Sequence, residues 1–333
     1  MAIVTGVGTS WSLPNYSGEL FTADPVQTPL LSMIGGLTGG MITRAYEFVT
    51  AQLFNHPAVT QPNISEDDSI IAPPPAHIVR EQVTNVVQIH HETIDLTYVK
   101  LANSGLMSGV NIAGQQANPP NEFDWQLQQK LVKIARDIEW SFIAGQFQRA
   151  TSSGVANMTR GMLEVTQLPG GSHIDAAGAP LDKDMLNTLF RTMADGGAMF
   201  QNPVMFVGAY LKQKITEIYN LVVGFALPPT RNIGGLNIQE IEFDFGRMGI
   251  VWSRFMPPDA LLVADVSYMA PVFQEVPGKG ILFTEPLAKI GASEREQLFT
   301  QVGLDSGPSF LHGSITGILN PDANGNGNGN GTV

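Results

Sequence analysis

The sequence predicts an α+β fold, and three features carry that prediction. Between Asn121 and Ala150, apolar side chains recur every three or four positions, the period of a helix with one buried face. Two earlier runs, 41–54 and 77–99, are rich in Val, Ile, Thr and Tyr and lack helix caps, so they predict strands. After the helix, helical and strand patterns alternate to about residue 220, and only strand patterns follow.

Composition predicts a folded protein with a largely uncharged surface. The 333-residue chain is 43% hydrophobic and can bury a core in two or more domains, or in one domain with large excursions. Only 14% of residues are charged, while Gly (35) and Pro (22) favour turns, extended arms and large protein contacts. The net charge of −12 argues against recognition of phosphate backbones, and the absence of cysteine excludes disulfides and thiolate metal sites.

The first hundred residues predict an arm followed by a ribbon. Residues 1 to about 40 are Gly-rich and broken by prolines, with short helical turns expected at Gly18–Ala23 and Pro29–Ile34. As one strand, 77–99 would span about 75 Å, so the ribbon must leave its own domain or bend sharply. The connector His56–Ala76 carries prolines and an acidic trio, which predicts a mobile, solvated tip.

The helix predicted for 121–150 has Asn121 as its candidate N-cap and would run about 45 Å. Lys133 and Asp137 form an i,i+4 pair off its apolar face. That face consists of Phe123, Leu127, Leu131, Ile134, Ile138 and Phe142. An apolar stripe of this kind needs another layer to pack against.

Later elements follow the same reasoning. Helices are predicted at 182–194 and 209–220. Strands are predicted at 203–207, 236–243, 248–255, 261–266, 280–287, 297–302 and 310–318, with a hairpin turn at 244–247. The four Asn-Gly steps near the end predict a disordered tail, which we expect a neighbouring subunit to hold.

The best metal candidates are His90, His91, Glu92 and Asp95. In a strand, however, His90 and Glu92 face one way while His91 and Asp95 face the other, so the four do not converge. A polar stretch of exposed strand explains them better than a metal site does.

No other motif predicts an enzyme. Asp244-Phe245-Gly246 lacks the catalytic loop and the lysine strand that accompany it in kinases. Asp137 and Glu139 point away from each other on a helix, so we expect solvated or ion-paired carboxylates. We therefore predict no catalytic, cofactor-binding or metal-binding residue, and no cofactor.

The order of features resembles the major capsid proteins of tailed bacteriophages, which have the Hong Kong 97 fold. Four segments also look similar to one branch of that family: FTADPVQTPLLSMIGG, QQKLVKIARDIEWSFIAG, TRGML and LHGSITGIL. The resemblance implies an N-terminal arm (1–40), an E-loop (41–102), a P-domain (103–165) with spine helix 121–150, an A-domain (166–275), P-domain strands (276–320) and a Gly/Asn-rich C-terminal tail (321–333).

The resemblance also implies a function in assembly. Copies of the chain would form the pentamers and hexamers of an icosahedral shell around a double-stranded DNA genome, without sequence-specific binding of that genome. Expected partners are the chain itself, a separate scaffolding protein, a portal protein and, where the shell has one, a decoration protein. The expected location is the virion after synthesis in the host cytoplasm, since the sequence shows no signal peptide or membrane span.

Two departures from relatives sharpen these expectations. Some relatives join subunits by an isopeptide bond from an E-loop lysine, whereas the first lysine here is Lys100, so we expect no covalent crosslink. Some relatives begin with a charged scaffolding segment, and none precedes this arm, so scaffolding should be a separate protein.

Charged residues outside the apolar core are the candidates for contacts between subunits. They are Arg44, Glu66, Asp67, Asp68, Arg80 and Arg136. The alternatives left open are an encapsulin-like compartment with the same fold, another virion part such as a tail or decoration protein, and, more distantly, a soluble enzyme.

Overall fold

The computed structural model describes residues 22, 24, 26–54, 56, 58–72, 77–102, 122–220, 230–233 and 236–321. Its α-helices are α1 Pro29–Met33, α2 Tyr98–Ala102, α3 Glu122–Ala144, α4 Met162–Val165, α5 Lys183–Asp195 and α6 Ala209–Asn220. Its strands are β1 Met41–Thr43, β2 Glu47–Phe54, β3 Arg80–Val86, β4 Gln88–Thr97, β5 Ser172–Asp175, β6 Pro203–Val207, β7 Thr230–Ile233, β8 Leu236–Phe243, β9 Gly246–Trp252, β10 Leu261–Asp265, β11 Ala270–Gln274, β12 Leu282–Pro286, β13 Ser293–Asp305 and β14 Gly313–Thr316. The α+β prediction is confirmed.

The apolar stripe of α3 packs as predicted. Ile134, Ile138 and Phe142 are fully buried, and the other three members of the stripe are partly buried against the same core. The Lys133–Asp137 pair also forms, with Nζ and Oδ2 3.6 Å apart.

The helix is nevertheless shorter than predicted. It ends at Ala144 rather than Ala150, because the chain beyond Gly145 leaves the helical path to form an antiparallel bridge between Gln148 and Met158. A Cβ at Gly145 would lie 2.2 Å from the Ser141 carbonyl oxygen, so only glycine allows this close turn. With 23 residues, α3 spans about 34 Å.

The long strand run 77–99 serves two sheets and divides at Val87. Residues 80–86 form β3, which pairs antiparallel with β2 and leaves the body as a two-stranded ribbon. Residues 88–97 form β4, which pairs antiparallel with β13 over its whole length. Val87 is 2% exposed and donates its N–H to the Tyr46 carbonyl (2.9 Å), so the predicted bend is a buried, hydrogen-bonded break.

A five-stranded sheet packs against α3. Its strand order is β1-β11-β13-β12, with β4 also paired to β13. The 13 residues of β13 are long enough to pair with β4 along one edge and with β12 and β11 along the other. β4 alternates buried and more exposed side chains because only one of its faces packs on the α3 core.

A seven-stranded sheet forms the second body, in the order β5-β14-β10-β6-β9-β8-β7. Every residue of β6 and β10 is buried, since both faces of these strands are covered. Val204 and Phe206 on β6 join the core that contains α3, while Met205 and Val207 join the core formed with α5 and α6.

Three strand assignments cross the predicted domain boundaries, which stay a prediction. The β2–β3 pairing ends at residue 86, whereas the proposed E-loop extends to 102. β11 lies inside the predicted A-domain (166–275) but belongs to the five-stranded sheet. β14 lies inside the predicted P-domain strands (276–320) but belongs to the seven-stranded sheet, where it pairs with β10 and β5.

Several predicted elements of the seven-stranded body are confirmed. Asp182 caps α5, its Oδ1 accepting the N–H of Met185 (2.7 Å), and Gly196 follows the end of that helix. Strand β6 and helix α6 have the predicted limits. β8 and β9 form the predicted hairpin, with Phe243 paired to Gly246 across a two-residue turn.

Most residues of the LHGSITGIL segment (311–319) are buried. His312 Nε2 donates to the Ser306 carbonyl (2.7 Å), and its Nδ1 accepts the Asp265 N–H (3.2 Å). Burial lowers the pKa of His312 to about 4, so the ring remains neutral near pH 7. A Cβ at Gly313 would lie 2.6 Å from Met193 Sδ, which explains a glycine beside α5.

Three expectations fall outside the described residues. They are the helical turn at 18–23 (apart from Thr22), the Asn121 cap and the tail beyond residue 321.

Candidate assembly surface

The β2–β3 ribbon carries large apolar side chains on its surface. On its strands, Val49 is 43% and Phe54 is 56% exposed. The connector adds Ile70 (81%) and Ile71 (74%). A two-stranded ribbon is marginally stable alone, and clustered exposed apolar side chains indicate a surface that binds another protein.

The acidic trio lies on the same connector. Glu66, Asp67 and Asp68 are all exposed, and a short 3-10 helix begins at Asp68. Asp68 Oδ2 accepts the Ser65 hydroxyl hydrogen (2.6 Å), while Ser65 Oγ accepts the Asp68 N–H (3.1 Å). The trio therefore lies on a hydrogen-bonded turn and is exposed to solvent.

The three predicted arginines lie at separate places. Arg44 is exposed in the bend between β1 and β2, and Arg80 is exposed at the start of β3, opposite Phe54 in the ribbon. Arg136 lies on α3, where its guanidinium is 4.0 Å from Asp24 of the same chain. The fold therefore does not gather the six predicted residues into one site, and their role between subunits stays a prediction.

Asn85 fixes the base of the ribbon and was missed by sequence reasoning. It is 1% exposed, and its Nδ2 donates to the carbonyl oxygens of Leu304 (2.8 Å) and Arg160 (3.4 Å). Its Oδ1 accepts the N–H groups of Arg160 (2.8 Å) and Val86 (2.9 Å). A single buried amide thus connects β3, β13 and the loop after α3.

Glu139 binds the N-terminal arm, and its environment differs from the one expected. It was expected to be solvated or ion-paired, but it is fully buried and accepts the N–H groups of Leu30 (Oε1, 2.9 Å) and Leu31 (Oε2, 2.7 Å). These groups begin α1, which has Pro29 in its first turn. Burial raises the pKa of Glu139 to about 7, although the two backbone hydrogen bonds act in the opposite direction. The neighbouring Asp137 is exposed, so the two carboxylates point apart as predicted.

The histidine and carboxylate cluster on β4 has a structural role. His90 and Glu92 are buried, whereas His91 is exposed on the other face. Glu92 accepts hydrogen bonds from Lys130 (2.8 Å) and Lys133 on α3. Burial alone would raise the pKa of Glu92, but these two ammonium groups lower it. The lysines were expected only to lie off the apolar face, yet they connect the helix to the sheet.

Metal ligands, grooves and membrane spans were compared over the described ranges. Across these ranges, no group of three or more His, Asp or Glu side chains is placed to hold a metal ion. A groove of about 480 Å³ lies between the arm and the seven-stranded sheet, and Lys212 is the charged side chain in its lining. No described helix is long and apolar enough to cross a membrane.

Comparison with known proteins places this geometry in context. The family model for the SU10 major capsid protein matches residues 3–319. Among curated protein sequences, none matches the chain.

Solved structures match at low sequence identity. The capsid asymmetric unit of cyanophage A-1(L) is similar with a TM-score of 0.61 and 10% identity, over 92% of this chain and 97% of that one. The capsid of a native GTA particle gives 0.54 and 12%, over 94% and 98%. The holo-SrpI encapsulin complex of Synechococcus elongatus PCC 7942 gives 0.57 and 13%, over 91% of each chain. At such identities these likenesses establish a shared fold.

Proposed function

The chain belongs to the SU10 major capsid protein family, and from that premise we propose how it builds its shell. It is a major capsid protein with a Hong Kong 97-type fold, and its copies associate with one another in the virion. In the proposed assembly, pentamers and hexamers close into an icosahedral shell around double-stranded DNA.

The projecting ribbon is the observation that carries this proposal. Its strands pair with each other, and its exposed apolar residues, such as Phe54 and Ile71, belong to neither hydrophobic core. A neighbouring copy that covers the ribbon removes this apolar area from water, which favours association by about 25 cal/mol per Å². The ribbon is thus the segment by which one subunit binds the next. Arg80 and the acidic trio determine which surface of the neighbour it binds.

The shell is held together without covalent crosslinks. No lysine precedes Lys100 in the sequence, so the ribbon has no amine to form an isopeptide bond. Lys100 itself is 2% exposed and lies 3.6 Å from Glu122, which makes it a buried structural residue. Subunits of mature particles should therefore separate completely in a denaturing gel.

Other partners follow from the same function. A separate scaffolding protein guides closure, a portal protein occupies one vertex, and a decoration protein, where present, covers the outside. The net charge of −12 suits a container whose wall must not hold its genome tightly. The chain is synthesised in the host cytoplasm and assembles there.

An encapsulin-like compartment is the second candidate function. The similarity to the SrpI encapsulin structure, with a TM-score of 0.57, supports this alternative at the level of fold. The family match favours the phage capsid. The contents of purified particles separate the two functions, because a capsid encloses DNA and a compartment encloses a cargo protein.

Electron microscopy of the full chain tests the proposal. The chain is expressed alone and together with the gene products encoded beside it, and purified particles are imaged before and after nuclease and denaturing treatment. We expect closed icosahedral particles that dissociate into single subunits. Open sheets, fibres or monomers under all conditions would contradict a shell-forming function, and a ladder of linked subunits would contradict the non-covalent shell.

A further inference from the structure

The loop between α3 and α4, residues 145–161, contacts both strands of the ribbon at its base. On the β2 side, Arg149 Nε lies 2.9 Å from Glu47 Oε2. Glu47 Oε1 in turn accepts the Thr84 hydroxyl hydrogen from β3 (3.0 Å). The loop is therefore connected to the ribbon through one strand and, by that strand, to the other.

On the β3 side, the central residue is Arg160. Its Nη1 donates to the Thr84 carbonyl (3.0 Å), and its Nε lies 3.2 Å from Glu164 Oε1. The guanidinium carbon lies 4.1 Å from the centre of the Phe147 ring, within cation–π distance. Glu164 Oε2 also accepts the Phe147 N–H (2.6 Å), so the acid holds the aromatic ring in place beneath the arginine. The planar guanidinium of Arg160 thus has three contacts, with Thr84, Glu164 and Phe147, and together they fix its orientation.

The base of the ribbon, at Phe48 and Val86, packs closely against β13. A Cβ at Gly303 would lie 2.6 Å from the Val86 carbonyl oxygen and 2.8 Å from the Phe48 ring. The Thr159 hydroxyl of the loop accepts the N–H of Leu304, the next residue on β13 (3.2 Å). Loop, ribbon base and sheet thus form one packed joint, in which the loop lies against both of the others.

We propose that loop 145–161 sets the angle at which the ribbon leaves the body, that Arg160 is its positioning residue, and that this angle determines the curvature of the assembled shell. The inference rests on the proposed function, since the angle matters only where the ribbon holds a neighbouring copy. Eight residues of β2 span about 27 Å, so a rotation of about ten degrees at the base moves the far end by about 5 Å. A displacement of that size changes where the neighbour is met and hence the angle between subunits.

The test replaces Arg160 in the full chain and measures two quantities. In Arg160→Met, we expect folded subunits, with hydrogen–deuterium exchange of the amides at 84–86 increased by about tenfold because the joint has lost charge-assisted hydrogen bonds. We expect electron microscopy to show particles with a shifted or broadened distribution of diameters. The matched control is Arg191→Met, an exposed arginine on α5, which should retain wild-type exchange and wild-type particles.

The outcomes separate this inference from the proposed function. If wild-type chain forms shells and Arg160→Met forms shells of the same diameter and uniformity, the positioning role is overturned and the proposed function stands. If wild-type chain forms no shell, either alone or with the gene products encoded beside it, the proposed function fails and the curvature inference fails with it. Should Arg160→Met not fold, Arg149→Met breaks the loop's exposed ion pair with Glu47, and unchanged diameters in that variant would overturn the inference.

Discussion

The seven-stranded sheet and the β2–β3 ribbon use apolar residues in opposite ways. In the sheet, every residue of β6 and β10 is buried between two cores of the same chain. In the ribbon, Ala51 and Val86 are buried near the base, while Phe54 at the far end is 56% exposed. The sheet therefore contributes to the stability of the single subunit, whereas we propose that the apolar surface of the ribbon is covered by a neighbouring subunit. Folding and assembly should respond to different mutations.

A core substitution in the sheet should have the largest effect on folding. Phe206→Ala on β6 removes a fully buried ring from close-packed surroundings, with an expected loss of about 3–5 kcal/mol in the free energy of unfolding. Denaturant unfolding of unassembled subunits measures this loss. Phe245→Ala, at the 46% exposed hairpin turn, is the control and should lose less than half as much. Equal losses would show that the burial of Phe206 between the two cores does not set the stability of the subunit.

Glu139, which binds the N-terminal arm, should have an intermediate effect on the free energy of unfolding, and this effect should depend on pH. The pKa of Glu139 is about 7 in the folded chain and about 4.5 without burial, so the folded state binds the proton more tightly. Its contribution to stability is complete below pH 4.5 and is lost as the pH rises through about 7, a change of about 3 kcal/mol at most.

Glu139→Gln removes this titration. The difference in unfolding free energy between wild type and this variant should therefore change by about 2–3 kcal/mol between pH 5 and 8. Asp137→Asn, on the exposed side of the same helix, should leave the pH dependence of wild type in place. If the difference in unfolding free energy between wild type and Glu139→Gln does not change between pH 5 and 8, the Glu139 carboxyl does not bind a proton in this range.

The ribbon should give the smallest effect on folding and a large one on assembly. Ile71→Asp replaces a 74% exposed side chain, so the free energy of unfolding should change by less than about 0.5 kcal/mol. Burying the new charge against a neighbour is costly, so particle yield in sedimentation and electron microscopy should fall at least tenfold. Ile290→Asp, equally exposed at 71% but outside the ribbon, should assemble normally. Equal yields for both variants would remove the distinction between ribbon and body.

Sequence reasoning was accurate where the information is local. The apolar period located α3, the pattern at 182–194 located α5 to within one residue at each end, and the apolar run 203–207 marked a buried strand. Each of these depends on side-chain period, capping hydrogen bonds or burial on both faces, which a short window of sequence contains. The family resemblance was confirmed by the match over residues 3–319.

Long-range contacts decided the rest. From its local sequence, Glu139 is expected to be solvated or ion-paired. It is buried because α1, more than one hundred residues earlier, supplies the two N–H groups that it accepts. Asn85 and Arg160 lie 75 positions apart and had no local signal of their joint role. The early end of α3 also depends on a distant feature, the close approach of Gly145 to Thr159.

For this protein, the sequence by itself determined four of the six described α-helices, most strands, the fold class and the family, because the side-chain period acts within a few residues. Only the tertiary structure decided that 77–99 divides at Val87 between two sheets, and that a loop after the long helix holds the base of the ribbon. The physical reason is that one strand pattern can pair with any suitable edge. The choice between edges is made by buried hydrogen bonds between residues far apart in the chain.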